Sequence, residues 1–457
     1  MSSRFESWEH ELNARHEVRS VGRRRFLASL GAIFAFATTK IEAEGATLPT
    51  FFVSASGDDD SDGLTPETPW ATLQNVNSQV PIGSVVLFRR GDTFYGELAL
   101  PRNCEVGAYG VGDMPVLTMF KMLNRSESWA EVATGVWKID LGSPLTHDGF
   151  TATADANIGY LLVDGVVKPA KKDRLALLLA PWDFWCDSAA NTLYVAASIN
   201  PSELAVDIKA APLGETKGAI IYCNEGHNRI HDLHITGTGG CGIFGAAVDV
   251  HVYDCLIDYI GGSYLPNYKD GTARYGNGIN NNIGSKRWLI ERNEITQVYD
   301  AAYSSQGDAR GTSGTWEDLT IRDNYIHDCT QSFEFWSMGT NVEAGFKRIL
   351  LEGNLCERAG FSDFSEVRPN QAVRVHLLTY DWQLSADITI RNNTFVDAFS
   401  AYTFQVVDPL GLVSRDNDIR LGAETRMQVQ RPETVEDAAA WQEATGQEVG
   451  STIRVWP

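Results

Sequence analysis

The sequence is short of positive charge. Its 38 Lys and Arg stand against 59 Asp and Glu, a formal net charge of −21 over 457 residues. No basic patch is present to neutralise phosphates, which excludes nucleic acid as a partner. A strongly anionic polymer would need bridging cations such as Ca²⁺. Cysteine is also scarce: there are seven, and no two form a CxxC pair. Thiol-based metal and redox motifs are thereby disfavoured. The odd count leaves at least one thiol unpaired, and most are expected to be buried and inert. No apolar run approaches the roughly 20 residues needed to cross a bilayer, so stable membrane insertion is not expected. The acidic stretch Gly57–Gly63 lacks the EF-hand spacing and its closing Glu, and reads as a surface turn. No metal or cofactor is required by any motif, although Ca²⁺ could be held by acids such as Asp270, Asp300 and Asp308.

What is present begins with a targeting segment. Arg23, Arg24 and Arg25 precede Phe26 and Leu27, then a modest apolar run to Ala37, with Lys40 just beyond. This pattern is that of a twin-arginine export signal, and the chain is expected in the periplasm or outside the cell. Residues 1–46 are assigned to it. Residues 47–117 read as an N-terminal cap and first coils, with a strand near Phe51–Ser54 and a helix capped by Thr68 with Pro69 in its first turn. Trp70, Leu73 and Val76 fall on one face of that helix. Residues 118–215 read as an inserted antiparallel elaboration with turns at Asp187 and Asn191.

From residue 216 to 430 one phrase recurs. "IHDLHI", "VYDCLI", "IERNEI", "IRDNYI", "LEGNLC", "IRNNTF" and a weaker "VSRDNDI" place pivots at Leu233, Cys255, Asn293, Asn324, Asn354, Asn393 and Asn417. Successive differences are 22, 38, 31, 30, 39 and 24 residues. A floor near 22–24 with variable excess is the signature of a parallel β-helix, each coil winding short strands around one apolar interior and carrying its extra residues as loops. The pivot asparagines are expected to form a ladder, tolerating left-handed backbone and bonding from coil to coil. Residues 431–457, with Thr434 as helix cap and Gly446 as terminator, would close the open end.

Together these features resemble the right-handed parallel β-helix proteins of the pectate-lyase-like superfamily. The resemblance rests on "FVSASGDDDSDGLTPETPWATLQ", "VVLFRRGDTFYGEL", the Asn-pivot repeats and "WQEATGQEVGS", and covers about residues 51–457. It implies an all-β solenoid and a polysaccharide or oligosaccharide partner. It does not select among hydrolase, lyase, epimerase and non-catalytic binder. A coil of this kind can stand as a monomer or as a homo-oligomer.

Adjacent coils bring aligned residues about 4.8 Å apart. Counting from the pivots puts Asp300 beside Gln331 and Tyr303 beside Glu334. Two carboxylates on neighbouring coils meet the requirement of glycosidic hydrolysis for a general acid and a nucleophile or base. Glu334 is the expected acid and Asp300 its partner. Tyr275, Tyr303, Gln306, Gln331, Trp336 and His376 are expected to line the sugar site, with Arg274 bonding hydroxyls or a carboxylate. Tyr264, Tyr268 and Lys269 share a loop with Arg274. Asp363, Glu366 and Arg368 share a second loop that leads to His376. The alternatives are Ca²⁺-assisted β-elimination on a uronate polymer, with Lys269, Arg274 or Arg310 as base or clamp, or a glycan-binding protein without catalysis.

Overall fold

Three long parallel sheets wind around a single apolar interior, so the chain is a parallel β-helix. The structure is a computed structural model. It describes residues 48–142, 156–214, 218–266, 268–308, 314–338, 345–368, 373–380, 385–404, 411–422, 425–429 and 438–455. The expected export signal and the Thr434 cap lie outside these residues.

The first sheet has ten strands, from Thr50–Val53 to Leu412–Arg415; the second has ten, from Thr93–Tyr95 to Thr452–Val455; the third has nine, from Leu98–Ala99 to Arg426–Val429. Each repeated phrase supplies the end of a first-sheet strand and the start of a second-sheet strand. Lys286–Glu291 leads to Glu294–Val298, and Thr315–Arg322 leads to Tyr325–His327. Ile230, Val252, Ile290, Ile321, Leu351 and Ile390 are aligned across coils and fully buried. Such a stack removes apolar surface from water at roughly 25 cal/mol per Å².

The asparagine pivots sit inside the coil, at most 1 % exposed at Asn293, Asn324, Asn354 and Asn393. Each backbone N–H donates to the Oδ1 of the next rung: Asn293 to Asn324 at 3.0 Å, Asn324 to Asn354 at 3.1 Å, Asn354 to Asn393 at 3.0 Å and Asn393 to Asn417 at 2.9 Å. Each side-chain amide also donates to the Oδ1 of the next rung. The last amide, of Asn417, donates to the buried Glu448 at 3.0 Å. The left-handed position is not the pivot, as the sequence led us to expect, but the residue before it: Asp232, Asp254, Arg292, Asp323, Asn392 and Asp416 all have φ of 53–55°. The pivot needs its side chain aimed inward, so the preceding residue absorbs the turn. The fifth rung carries Gly353, with φ of 69°, where a Cβ would stand 2.6 Å from Asp323 Oδ1 and that carboxylate would have to move.

The elaboration comprises two four-stranded antiparallel sheets between Lys121 and Ala210 with an apolar core of their own. The first helix is Leu73–Gln79, and its cap is Thr72 rather than Thr68. Asp59 explains the shift, because it accepts the N–H groups of Ala71 and Thr72 and the Thr72 hydroxyl at 2.6–3.0 Å, and so pins the residues before the helix. That bonding uses the acidic turn as a structural clasp. Trp70, Leu73 and Val76 are buried as expected, and further short helices span Pro201–Leu204 and Ala438–Thr445. None of the seven cysteines forms a disulfide, and all but Cys186 are buried. No described helix is long and apolar enough to cross a membrane.

Candidate active site

Register decides which predicted residues meet. Ala301 pairs with Gln331, Tyr303 with Phe333, Ser304 with Glu334 and Gln306 with Trp336. The pivot count is therefore wrong by one. The first of these coils spends eight residues from Asn293 to Ala301, whereas the next spends seven from Asn324 to Gln331. The extra residue lies at the corner occupied by Tyr299 and Asp300.

Tyr303 consequently turns inward. It is fully buried, its ring packs near Phe333 and Phe335, and its hydroxyl bonds Ser305 at 2.7 Å. It cannot stack on a sugar. His376 is likewise interior: Nδ1 bonds Ser332 Oγ at 2.9 Å, Nε2 bonds the Val396 carbonyl at 3.3 Å, and the ring packs near Phe395. Burial pushes its pKa down to about 3, so it is a neutral core histidine and not a sugar ligand. Arg274 is spent on backbone carbonyls, donating to Gly262 at 2.6 Å, Pro169 at 3.1 Å and Gly159 at 2.8 Å. It ties the elaboration to the coil instead of facing a substrate. Arg274→Gln is expected to cost roughly 2–4 kcal/mol in chemical denaturation, because several buried carbonyls lose a charged donor. Tyr275 packs near Tyr222 and Cys241.

Phe333 and Phe335 belong to the coil's core, so strand alternation aims Glu334 to the outer face of the third sheet. Its row reads Asn280, Ser304, Glu334 and Leu378 on successive coils. Gln306 and Trp336 form the next outward row, both half-buried, with Gln306 Nε2 donating to Asn280 Oδ1 at 2.5 Å. Glu334 accepts from Ser304 Oγ at 3.1 Å. Asp300 accepts from Gln331 Nε2 at 2.9 Å and from Arg368 at 2.8 Å. The same Gln331 amide acts on the Glu334 carboxyl, so it links the two acids.

Electrostatics separates the pair. Burial and the neighbouring Asp300 charge push Glu334 up to about 8. Burial also raises Asp300, but the Arg368 guanidinium opposes this. With an arginine in direct contact, Asp300 is the acid that ionises first, and its charge keeps the proton on Glu334. Arg368 belongs to the loop after the second sheet. Its guanidinium lies 5.1 Å from the Tyr299 ring, on which Arg274 also packs at 4.7 Å. In sequence Arg368 stood out only as one member of a charged loop, because nothing local shows a loop reaching back to a corner two coils earlier. Gln331 Oε1 and Arg368 Nε are buried here without a partner. Glu334 is only 2 % exposed.

The other candidates do not join this group. Lys269 packs near the Tyr268 ring, Asp363 and Glu366 form no bond to either acid, and Arg310 and the side chains of Asp270 and Asp308 lie outside the described residues. Among the described residues no group of His, Cys, Asp and Glu is arranged to hold a metal ion.

No family model matches the chain, and neither does any curated protein. Among solved structures it is similar to XylC in complex with xylose, at 13 % identity over 85 % of this chain and 73 % of that one, with a TM-score of 0.41. It is also similar to an alginate lyase from a Paenibacillus species, at 11 % identity over 84 % and 97 %, with a TM-score of 0.40. A rhamnogalacturonan lyase overlaps at 9 % identity over 84 % and 77 %, with a TM-score of 0.39. Overlap at this level leaves the reading of the site to its own geometry.

Proposed function

We propose that this protein binds a polysaccharide along the outer face of the third sheet and cleaves it by hydrolysis. Glu334 is the general acid, and Asp300 is the nucleophile or the base that activates water. The observation that carries the reading is a pair of largely buried carboxyls on adjacent coils, linked through Gln331, with Arg368 bonded to Asp300 and Ser304 to Glu334. Hydrolysis of a glycosidic bond requires one acid that still holds its proton at neutral pH and one that has lost it. Gln331 would orient both acids, and Trp336 and Gln306 would meet the sugar beyond them. Arg368 would hold Asp300 ionised until substrate arrives. Export through the twin-arginine route would bring the protein to such a polymer.

The test is incubation with a panel of neutral and acidic glycans, read for new reducing ends and for ultraviolet absorbance of unsaturated uronate. Hydrolysis predicts reducing ends without the absorbance. The absorbance, lost on chelation, would instead mark a lyase. Glycan retardation in affinity gels with neither signal would mark a binder without catalysis. The near-complete burial of Glu334 favours that last reading as the second choice.

A further inference from the structure

The outer face of the first sheet is built from charge ladders. One runs Asp249, Arg287, Asp318, Arg348, Asp387 on successive coils, strictly alternating in sign. Arg287 pairs with Asp249 and Arg348 with Asp318. A second runs Glu291, Arg322, Glu352, Arg391, and alternates for four coils. Arg322 bonds Glu291 at 2.7 Å, and Arg391 meets Glu352 at 2.9 Å. The fifth rung breaks the rule: Arg391 stands directly opposite Arg415. Like charges facing each other across a strand pair are destabilising. Among the described residues, Arg415 pairs with its sequence neighbour Asp416, with both side chains over 40 % exposed, and such pairs contribute little.

An open concavity of about 460 Å³ lies over this break, lined by Arg391, Arg415, Thr389, Thr320, Arg348 and Asp387 among others. Its volume is in the small-molecule range. The Thr320 and Thr389 side chains are half-buried on its floor. Thus a protein of net charge −21 places two adjacent guanidiniums, with hydroxyls beside them, in a cleft on a different sheet from the acid pair.

We propose that this cleft is a second binding site, for an anionic saccharide unit. Its oxyanion, a carboxylate or a sulfate ester, bridges Arg391 and Arg415, and its hydroxyls meet Thr389 and Asp387. The anion takes the place of the missing negative rung. Planar guanidiniums suit such oxyanions through paired N–H donors.

The test is calorimetric titration of the full chain with glucuronate, a sulfated monosaccharide and glucose, at ionic strength fixed with chloride. Glucuronate or the sulfated sugar, or both, is expected to bind at one site, and whichever binds tighter identifies the oxyanion. Glucose is expected to bind at least tenfold more weakly. Arg415→Glu restores the alternation. It is expected to lower affinity for the anionic sugar at least tenfold while melting at or above the wild-type temperature, which separates loss of the site from loss of the fold. Absence of binding by both anionic sugars, equal binding of glucose, or undiminished affinity in Arg415→Glu would overturn the proposal. Cleavage at Glu334 plays no part in any of these readings.

Discussion

Glu334→Gln is expected to lower the cleavage rate by about 10²–10⁴-fold, the usual contribution of a positioned general acid. The amide keeps the size of the side chain and can still accept from Ser304, so the coil is not expected to lose stability. It should gain at neutral pH. The unfolded chain gives up the Glu334 proton near the ordinary value for glutamate, whereas the folded chain keeps it to about 8. Between those values the folded state binds more protons than the unfolded state, so wild-type stability falls as pH rises through the window. Glutamine has no proton to lose. The melting temperature of Glu334→Gln should therefore rise relative to wild type from pH 5 to pH 8, and the two proteins should converge below pH 4. Parallel melting profiles would mean that Glu334 titrates as an ordinary exposed acid. Full activity in the variant would make it scaffold.

Asn324→Ala is expected to have the largest effect on the fold. Asn324 Oδ1 accepts both the backbone N–H and the side-chain amide of Asn293, each at 3.0 Å, and its own amide donates to the Ile290 carbonyl at 3.0 Å. Alanine leaves two donors and one acceptor buried without partners. At about 1–3 kcal/mol for each unsatisfied group, partly relieved by entering water, the loss should be roughly 3–5 kcal/mol in urea denaturation. The same substitution at exposed Asn392, one position before a pivot, removes a surface bond to Glu352 and puts alanine at the left-handed φ of 55°, and should cost about 1–2 kcal/mol. Equal costs at the two sites would show that the ladder adds no stability to the coil.

The solenoid was legible because its signal is repeated. Seven copies of one phrase fixed the interior positions Ile290, Ile321 and Leu351, and the spacing floor fixed the coil. Handling of the backbone was not legible. Asn at the pivot is compatible both with left-handed φ and with an inward ladder, and only the geometry of neighbouring coils selects the second. The site was partly legible for the same reason. Asp300 and Gln331 do meet, because a one-residue slip still leaves the corner of one coil beside the start of the next strand. Tyr303 was misplaced because that slip reverses inside and outside along a strand. His376 was misplaced because its Ser332 and Val396 partners lie on other strands and leave no local trace. Arg274 and Arg368 are alike in sequence, each in a loop rich in charge. Their different roles follow from where each loop folds back, one onto carbonyls and one onto Asp300.

The proton on Glu334 is the central claim, and infrared difference spectroscopy between wild type and Glu334→Gln at pH 6.5 tests it most directly. The account predicts a protonated-carboxyl band in the wild type that is absent from the variant and fades as pH is raised past about 8. A difference spectrum showing only ionised carboxylate at pH 6.5 would contradict it.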